Sequence, residues 1–452
     1  MLDRIIAYKH QWVKEHEREI NLYQSQVMPS SKSFLSALKQ NPTAYICEIK
    51  LASPSQGIIS RDINISQVAS IYQPFANAIS VLADERFFMG SLANVKKISQ
   101  EQKCPILCKD IVVSPLQIWQ ARIYGADAVL LMLSVLDDET YRQCEKIAIK
   151  LNMAVICEVH SEEEIMRAAG LKAKIIGINN RNLKTLDIDL ATTDRLLKLA
   201  PFGSYLISES GFVSHQQIRS YRGRVQAFLV GTSLMRSPRI DLALRELIFG
   251  RVKICGLTNN KDAMLAYNYG AYYGGLNFST QSPRCVSLEE AKAIMKDVPL
   301  SFGGVFVNQA LDEVISISRT LNLDFIQLHG DEEKDYINQL RDDISPDCQI
   351  WRALSLRENM SVTVSRKVDV LVFDHKDGYR YGGTGQRFDW SLLKNLPLGL
   401  RFAVAGGINS ENICEADSLG AFIIDIASGS EDDHPRQKSA SQLEKIFKHL
   451  RG

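Results

Sequence analysis

Several ionisable residues close apolar runs in positions that could support acid–base chemistry. In the first half of the chain, Glu48 and Lys50 stand two residues apart, so on a strand both point to one face. Lys109 ends the run Pro105–Lys109 and Glu158 lies at the end of Ala154–Val159. Asn179 closes Ile175–Asn179 with Arg181 just beyond, and Glu209 with Ser210 closes Tyr205–Glu209. Any one of these could be half of a structural ion pair, since buried charges are costly and usually paired. A core does not need two lysines, an arginine and three glutamates at one end. In the second half, Cys255 ends Arg251–Cys255 and Asp374 ends Asp369–Asp374. A lone Cys in an apolar strand is most often inert packing, and a lone Asp can be a helix cap. Placed across one opening, the thiol and the carboxyl suit an acid–base pair.

These residues can cooperate only if the elements gather them. The first half offers eight strand-like runs: Tyr45–Lys50, Ala78–Leu82, Pro105–Lys109, Ala128–Leu133, Ala154–Val159, Ile175–Asn179, Tyr205–Glu209 and Ala227–Gly231. Most are continuous apolar runs, as strands buried on both faces should be. Helix punctuation lies between them. Ser114-Pro115 reads as an N-cap followed by Pro at the first helical position, with Gly125 closing that helix. Ser161 and Glu164 read as a capping box, with Gly170 ending the element. Strand–helix alternation implies parallel strands with right-handed crossovers, and eight units are what a (β/α)₈ TIM barrel requires.

The pattern restarts after Gly250 with Arg251–Cys255, Tyr273–Phe278, Gly303–Val307, Asp324–Leu328, Gln349–Ala353, Asp369–Asp374, Leu400–Ala405 and Phe422–Ile426. Ser287 and Glu290 form another capping box, and Gly270 and Gly420 read as helix stops. The expectation is an α/β chain of two consecutive (β/α)₈ barrels, residues 1–250 and 251–452. Residues 1–41 add an N-terminal helical segment (Ile5, Ile6, Trp12, Val13, then Phe34, Leu35, Leu38) that could cover a barrel end.

Composition excludes other classes. The 452 residues carry 53 Lys+Arg against 52 Asp+Glu, a net charge of +1, which offers no global field for nucleic acid or an anionic membrane. The apolar fraction of 45% and charged fraction of 23% are ordinary for a soluble globular protein. No apolar run approaches the roughly 18 residues of a membrane span, and Met1 to Glu19 is charged throughout, which reads as mature sequence. The nine Cys form no CxxC pair and favour a reducing cytoplasm.

Glycines after two strands of the first half, Ser210-Gly211 and Gly231-Thr232-Ser233, let backbone N–H groups approach a phosphate, although each alone is more often a turn. Six ordered segments then resemble indole-3-glycerol phosphate synthase over about residues 1–250: Glu48-Ile-Lys50-Leu-Ala-Ser53-Pro-Ser55, Cys108-Lys109-Asp110, Cys157-Glu158-Val-His160, Ile178-Asn179-Asn-Arg181-Asn-Leu183, Ser208-Glu209-Ser210-Gly211 and Gly231-Thr-Ser-Leu-Met235. The resemblance implies ring closure of 1-(2-carboxyphenylamino)-1-deoxyribulose 5-phosphate with loss of CO₂ and water. Lys109 would be the general acid, its pKa lowered by neighbouring Lys50. Lys50 and Arg181 would hold the departing carboxylate, and Glu158 would be the base for dehydration. Glu48, Asn179 and Glu209 would orient the lysines and sugar hydroxyls, while Ser53, Ser210, Gly211, Gly231 and Ser233 would cradle the phosphate. Leu51 and Gln56 depart from the Lys or Arg often found there.

Residues 251–452 resemble phosphoribosylanthranilate isomerase, most distinctively in Lys253-Ile-Cys255-Gly and in Gly382-Gly383-Thr384-Gly385-x-x-Phe388-Asp-Trp390. That glycine segment is not the first βα turn of a Rossmann unit and lacks its third Gly. The implied reaction is an Amadori rearrangement of N-(5-phosphoribosyl)anthranilate. Asp374 would protonate the furanose oxygen, Cys255 would take the C2 proton helped by charge such as Lys253, and Arg284 would grip the anthranilate carboxylate. Gly383, Gly407, Ser428 and Gly429 would hold the phosphate, and His329 has either a structural or a site role. Ala427, Ser430 and Pro435–Ser439 depart from the family pattern around the phosphate grip.

The resulting expectation is a bifunctional tryptophan-biosynthesis enzyme, a monomer in the cytoplasm, acting on small phosphorylated anthranilate-derived substrates without nucleic acid, membrane, metal or cofactor. Two histidine-pathway-like phosphate barrels would pair Asp with Asp, whereas Cys255 stands here. A non-catalytic scaffold would tolerate loss of Lys109, Glu158, Cys255 or Asp374, all of which are present.

Overall fold

The computed structural model describes residues 2–53, 57–59, 63–183, 185–356, 365–375, 387–397, 399–432 and 434–452. Contacts divide the chain into two units, Met1–Leu244 with Gly452, and Arg245–Arg451. Each contains a closed ring of eight strands.

The first ring comprises β1 (Ala44–Ile49), β2 (Ala78–Leu82), β3 (Ile106–Lys109), β4 (Ala128–Met132), β5 (Ala154–Val159), β6 (Ile175–Asn179), β7 (Tyr205–Glu209) and β8 (Ala227–Val230). Each strand pairs in parallel with the next, and β1 closes onto β8 with Ala44 opposite Ala227. Small residues open β1, β2, β4 and β8, and Ala44, Ala78, Ala128 and Ala227 leave room beneath the barrel. The short helix Phe34–Leu38 fills it, sending Phe34 and Leu38 into the same apolar cluster. Asn77 Nδ2 and Tyr205 OH donate to Ala37 O and Leu38 O at 2.9 and 3.1 Å, satisfying carbonyls that end that helix. The longer N-terminal helix, Leu2–Tyr23, lies elsewhere: Leu2 and Ile5 line the cavity at the strands' C-terminal ends. The N-terminal segment therefore contributes to both ends of this barrel.

The second ring comprises β9 (Val252–Cys255), β10 (Tyr273–Asn277), β11 (Ser301–Phe306), β12 (Phe325–Leu328), β13 (Gln349–Leu354), β14 (Val370–Phe373), β15 (Phe402–Val404) and β16 (Ile423–Ile426). Large rings fill it. Phe325 and Trp351 stack with centroids 3.7 Å apart, and Tyr273 meets both edge-on. Strand glycines make the space: a Cβ on Gly303 would lie 2.3 Å from the Phe325 ring.

Both barrels set strand register with the residue just before a strand. Asn77, Asp127, Asp324 and Asp369 each accept the first free N–H of the preceding strand, at Tyr45, Ile106, Phe302 and Ile350, with bonds of 2.8–3.0 Å.

Helix ends differ from expectation in three places. The helix after β3 runs Leu116–Ile123 with Pro115 as its cap residue, one position later than the sequence signal placed it. Gly170 lies inside Glu162–Leu171, whose end is set by Lys172 in the left-handed conformation at φ 60°. Ser161 accepts from Glu164 N, but the Glu164 carboxylate turns to His160 N at 2.6 Å, so the box is half-formed. The Ser287–Glu290 box is complete.

Candidate active sites

At the C-terminal ends of β1–β8, one cavity is lined by Glu48, Lys50, Ser53, Lys109, Glu158, Asn179, Arg181 and Ser210. Lys109 Nζ lies 3.2 Å from Glu48 Oε2 and 3.1 Å from Glu209 Oε2, while Lys50 Nζ sits 2.7 Å from Glu48 Oε1. Glu48 and Glu209 are buried. Burial opposes the charge on Glu48, but Lys109 and Lys50 overcome it and hold the carboxyl at about 2. Glu209 goes the other way: burial outweighs the pull of Lys109 and pushes it up to about 7.

One expectation needs correction. Lys109 does not have a lowered pKa. Burial favours its neutral form, but Glu48, Glu209 and Glu158 outweigh burial and raise it. The positive charge of Lys50 has little say because Glu48 compensates it at 2.7 Å. Lys109 is therefore a firmly held ammonium, suited to stabilising negative charge that develops on an oxygen.

Glu158 is lowered despite burial, with His160 as its main stabiliser and Lys109 and the Asn179 side chain adding to it. Asn179 Oδ1 also accepts from Arg181 N at 3.0 Å, fixing the turn that carries the guanidinium. Arg181 Nη1 donates to Leu186 O at 2.9 Å. Gly211, Gly231 and Ser233 follow β7 and β8 but do not line this cavity, and the Ser233 hydroxyl donates to Phe212 O at 3.0 Å. Ser210 and Gly211 take φ of 65° and 96°, and a Cβ on Gly231 would lie 2.8 Å from Glu48 Oε1.

In the second unit, Cys255, Arg284, His329, Asp374, Gly407 and Ser428 line one cleft. Cys255 and Asp374 thus face a common space. Burial raises the Cys255 thiol, and Lys253 only partly counters this, because its ammonium already serves Asp425 at 2.7 Å and Gln327 at 2.6 Å. Help from Lys253 is smaller than the sequence implied. Arg284 is committed to Glu431 through Nε at 2.8 Å and Nη2 at 2.6 Å. Glu431 Oε1 also accepts from buried Lys438 at 2.7 Å. His329 Nε2 lies 3.3 Å from Asp374 Oδ2. Gly429 approaches so closely that a Cβ would lie 1.9 Å from Ile408 O. Gly383, with the rest of 376–386, lies outside the described residues.

Sequence reasoning gave no role to His160, Gln327, Glu431 or Lys438. A signal existed for the first two: His160 stands two residues from Glu158, and Gln327 two from His329, the spacing that puts strand side chains on one face. Glu431 and Lys438 stand behind the cleft, on Arg284 and on Cys255 O, in a stretch outside the named strands where spacing carries no such information.

Among the described residues, no cluster of His, Cys, Asp and Glu could hold a metal ion, and no helix is long and apolar enough to cross a membrane.

A lysine ringed by carboxylates at one barrel opening, and a thiol sharing another with a carboxyl, define a pair of (β/α)₈ enzymes. Residues 2–247 match the family model of indole-3-glycerol phosphate synthase, and residues 252–449 that of N-(5'-phosphoribosyl)anthranilate isomerase. Relatives span both. A tryptophan biosynthesis protein TrpCF of Vibrio parahaemolyticus is 42% identical, covering 100% of this chain and 94% of its own length. Its namesake in Salmonella typhi is 42% identical, with 100% and 99% covered. A solved phosphoribosylanthranilate isomerase from Thermus thermophilus is 30% identical and covers 44% of this chain and 98% of its own, with a TM-score of 0.40. The chain belongs to the family of bifunctional enzymes that join these two activities in tryptophan biosynthesis.

Proposed function

We propose that the two consecutive activities are divided so that residues 251–452 isomerise N-(5-phosphoribosyl)anthranilate, and residues 1–250 cyclise and decarboxylate the product to indole-3-glycerol phosphate. In the isomerase, Asp374 gives a proton to the furanose ring oxygen, the C1–O bond breaks and an iminium forms. Cys255 then removes the C2 proton, and the resulting enol becomes the ketone. The thiol's raised pKa keeps it largely protonated in the free protein, so the iminium charge supplies the missing stabilisation of the thiolate. Arg284, Gly407, Ser428, Gly429 and Gly383 serve binding, and His329 stands beside the acid, Asp374.

In the synthase, the carboxylate-bearing ring carbon attacks the ketone carbon, and the Lys109 ammonium protonates the oxygen as it gains charge. CO₂ then leaves, held until that step by Lys50 and Arg181. The new hydroxyl receives a second proton from the re-protonated Lys109 and leaves as water, and Glu158 takes the proton lost from the neighbouring sugar carbon. Glu48 and Glu209 hold the lysines, and Ser53, Ser210, Gly211, Gly231 and Ser233 receive the phosphate. The reading takes the chain as a cytoplasmic monomer that needs no cofactor and binds neither nucleic acid nor membrane.

The observation that carries it is the position of Lys109 between Glu48 and Glu209 in the cavity that Glu158 also lines. Lys109→Ala should abolish indole formation and leave isomerisation intact; Cys255→Ala should do the reverse. Equal loss of both activities in a folded Lys109→Ala protein would contradict the division.

A further inference from the structure

From a lysine beneath the isomerase cleft, a chain of hydrogen bonds leads along the cleft wall to Asp374. It starts at Lys253, which is 0% exposed. Its ammonium lies 5.7 Å from the Phe325 ring centroid and 5.9 Å from that of Trp351. Those rings accept no conventional hydrogen bond, so its directed donors go to Asp425 Oδ2 at 2.7 Å and to Gln327 Oε1 at 2.6 Å. Gln327 Nε2 then meets His329 Nδ1 at 2.8 Å, and His329 Nε2 meets Asp374 Oδ2 at 3.3 Å. The His375 backbone N–H donates to Asp374 Oδ1 at 2.7 Å.

Donor and acceptor rules fix the protons from Lys253 to His329. An ammonium has only donors, so the Gln327 atom facing it must be the carbonyl oxygen. The amide NH₂ is thereby turned to His329 Nδ1, which must accept. The ring proton is left on Nε2, aimed at Asp374. Reversing the amide would set two donors against each other at Lys253, where both side chains are buried and an unmatched polar contact costs ~1–3 kcal/mol. The identity of residue 253 thus decides which nitrogen of a histidine three strands away carries the proton.

We propose that Lys253 and Gln327 set the tautomer of His329, and that all three are positioning residues that aim and stabilise Asp374 as the proton donor of the isomerisation. This rests on the assignment of Asp374 as that acid. An N–H held at Oδ2 strengthens its bond as negative charge develops on the carboxylate, so it favours the proton's departure to the ring oxygen. The same ammonium also acts on the base, where its charge partly offsets the burial that raises the Cys255 thiol. One buried charge therefore serves the thiol directly and the carboxyl through two intermediaries.

The test uses the full-length chain. In protein carrying ¹⁵N-histidine, His329 should show a bare Nδ1 and a protonated Nε2. Gln327→Glu preserves shape but replaces the NH₂ with a second acceptor, so Nδ1 should become protonated. Isomerase kcat should fall about tenfold or more with KM little changed, while cyclisation of the isomerised substrate stays intact. His329→Gln, which keeps a donor at the Nε2 position, should retain more kcat than His329→Asn. Asp374→Asn separates the two levels of the argument. Full isomerisation in that variant overturns the assignment of the acid. An inactive Asp374→Asn beside wild-type kcat in both Gln327→Glu and His329→Asn, or a proton on Nδ1 in the unaltered protein, overturns the positioning role.

Discussion

His160 shows how one side chain can fix another's charge. Its Nε2 lies 3.1 Å from Glu158 Oε1 and its Nδ1 3.2 Å from Glu164 Oε2. A ring with carboxylates at both nitrogens is best satisfied as the doubly protonated cation. Burial opposes that charge, but Glu158 and Glu164 prevail and push its pKa up to about 10. The sign follows from linkage: the pKa is raised on folding, so the stabilisation is complete below the ordinary 6.5 and is lost as pH rises through about 10. Denaturant unfolding should therefore show a stability gap between wild type and His160→Gln that narrows from neutral pH towards about 10. A gap that does not change with pH would refute the ion-pair account. The strand-end residues were legible because period-two spacing reports facing. Their protonation was not, because it depends on partners from other strands: Lys109 was expected to titrate low beside Lys50, and it is raised because three carboxylates converge on it.

Among the elements, the strands were the most legible, because continuous apolar runs admit few alternatives to a strand buried on both faces. Helix boundaries were less so, since Gly170 and Lys172 compete for the stop and tertiary context decides. The N-terminal helix Leu2–Tyr23 was visible as a helix, but its task was not. Its buried Lys9 lies 3.1 Å from Asp84 Oδ2 and 2.6 Å from Asp110 Oδ1, two residues that also line the synthase cavity. No local pattern links residue 9 to residues 84 and 110. Removing one partner from a buried ionic cluster leaves charge uncompensated, so Lys9→Ala should destabilise the first barrel by ~3–5 kcal/mol. Because Leu2 and Ile5 line the same cavity, the variant should also raise KM for cyclisation more than it lowers kcat. An unchanged KM would show that the helix start takes no part in binding.

Taken as a chain of 452 residues, the protein is two closed parallel rings, each with its own apolar interior and its own gathering of ionisable groups. The eightfold repetition of strand and helix, occurring twice, made that architecture readable from sequence. The cost of leaving buried charges unpaired explains why the polar residues of each ring form networks: Lys109 with Glu48 and Glu209 in one, Lys253 with Asp425 and Gln327 in the other. Since each network is complete within its own unit, a defect in one should leave the other working. The most direct measurement supplies N-(5-phosphoribosyl)anthranilate to Lys109→Ala, to Cys255→Ala and to an equimolar mixture of the two, following substrate fluorescence and indole absorbance together. Lys109→Ala alone should consume substrate without forming indole, Cys255→Ala alone should leave substrate untouched, and the mixture should form indole-3-glycerol phosphate. Failure of the mixture, with both variants folded, would contradict two self-sufficient sites.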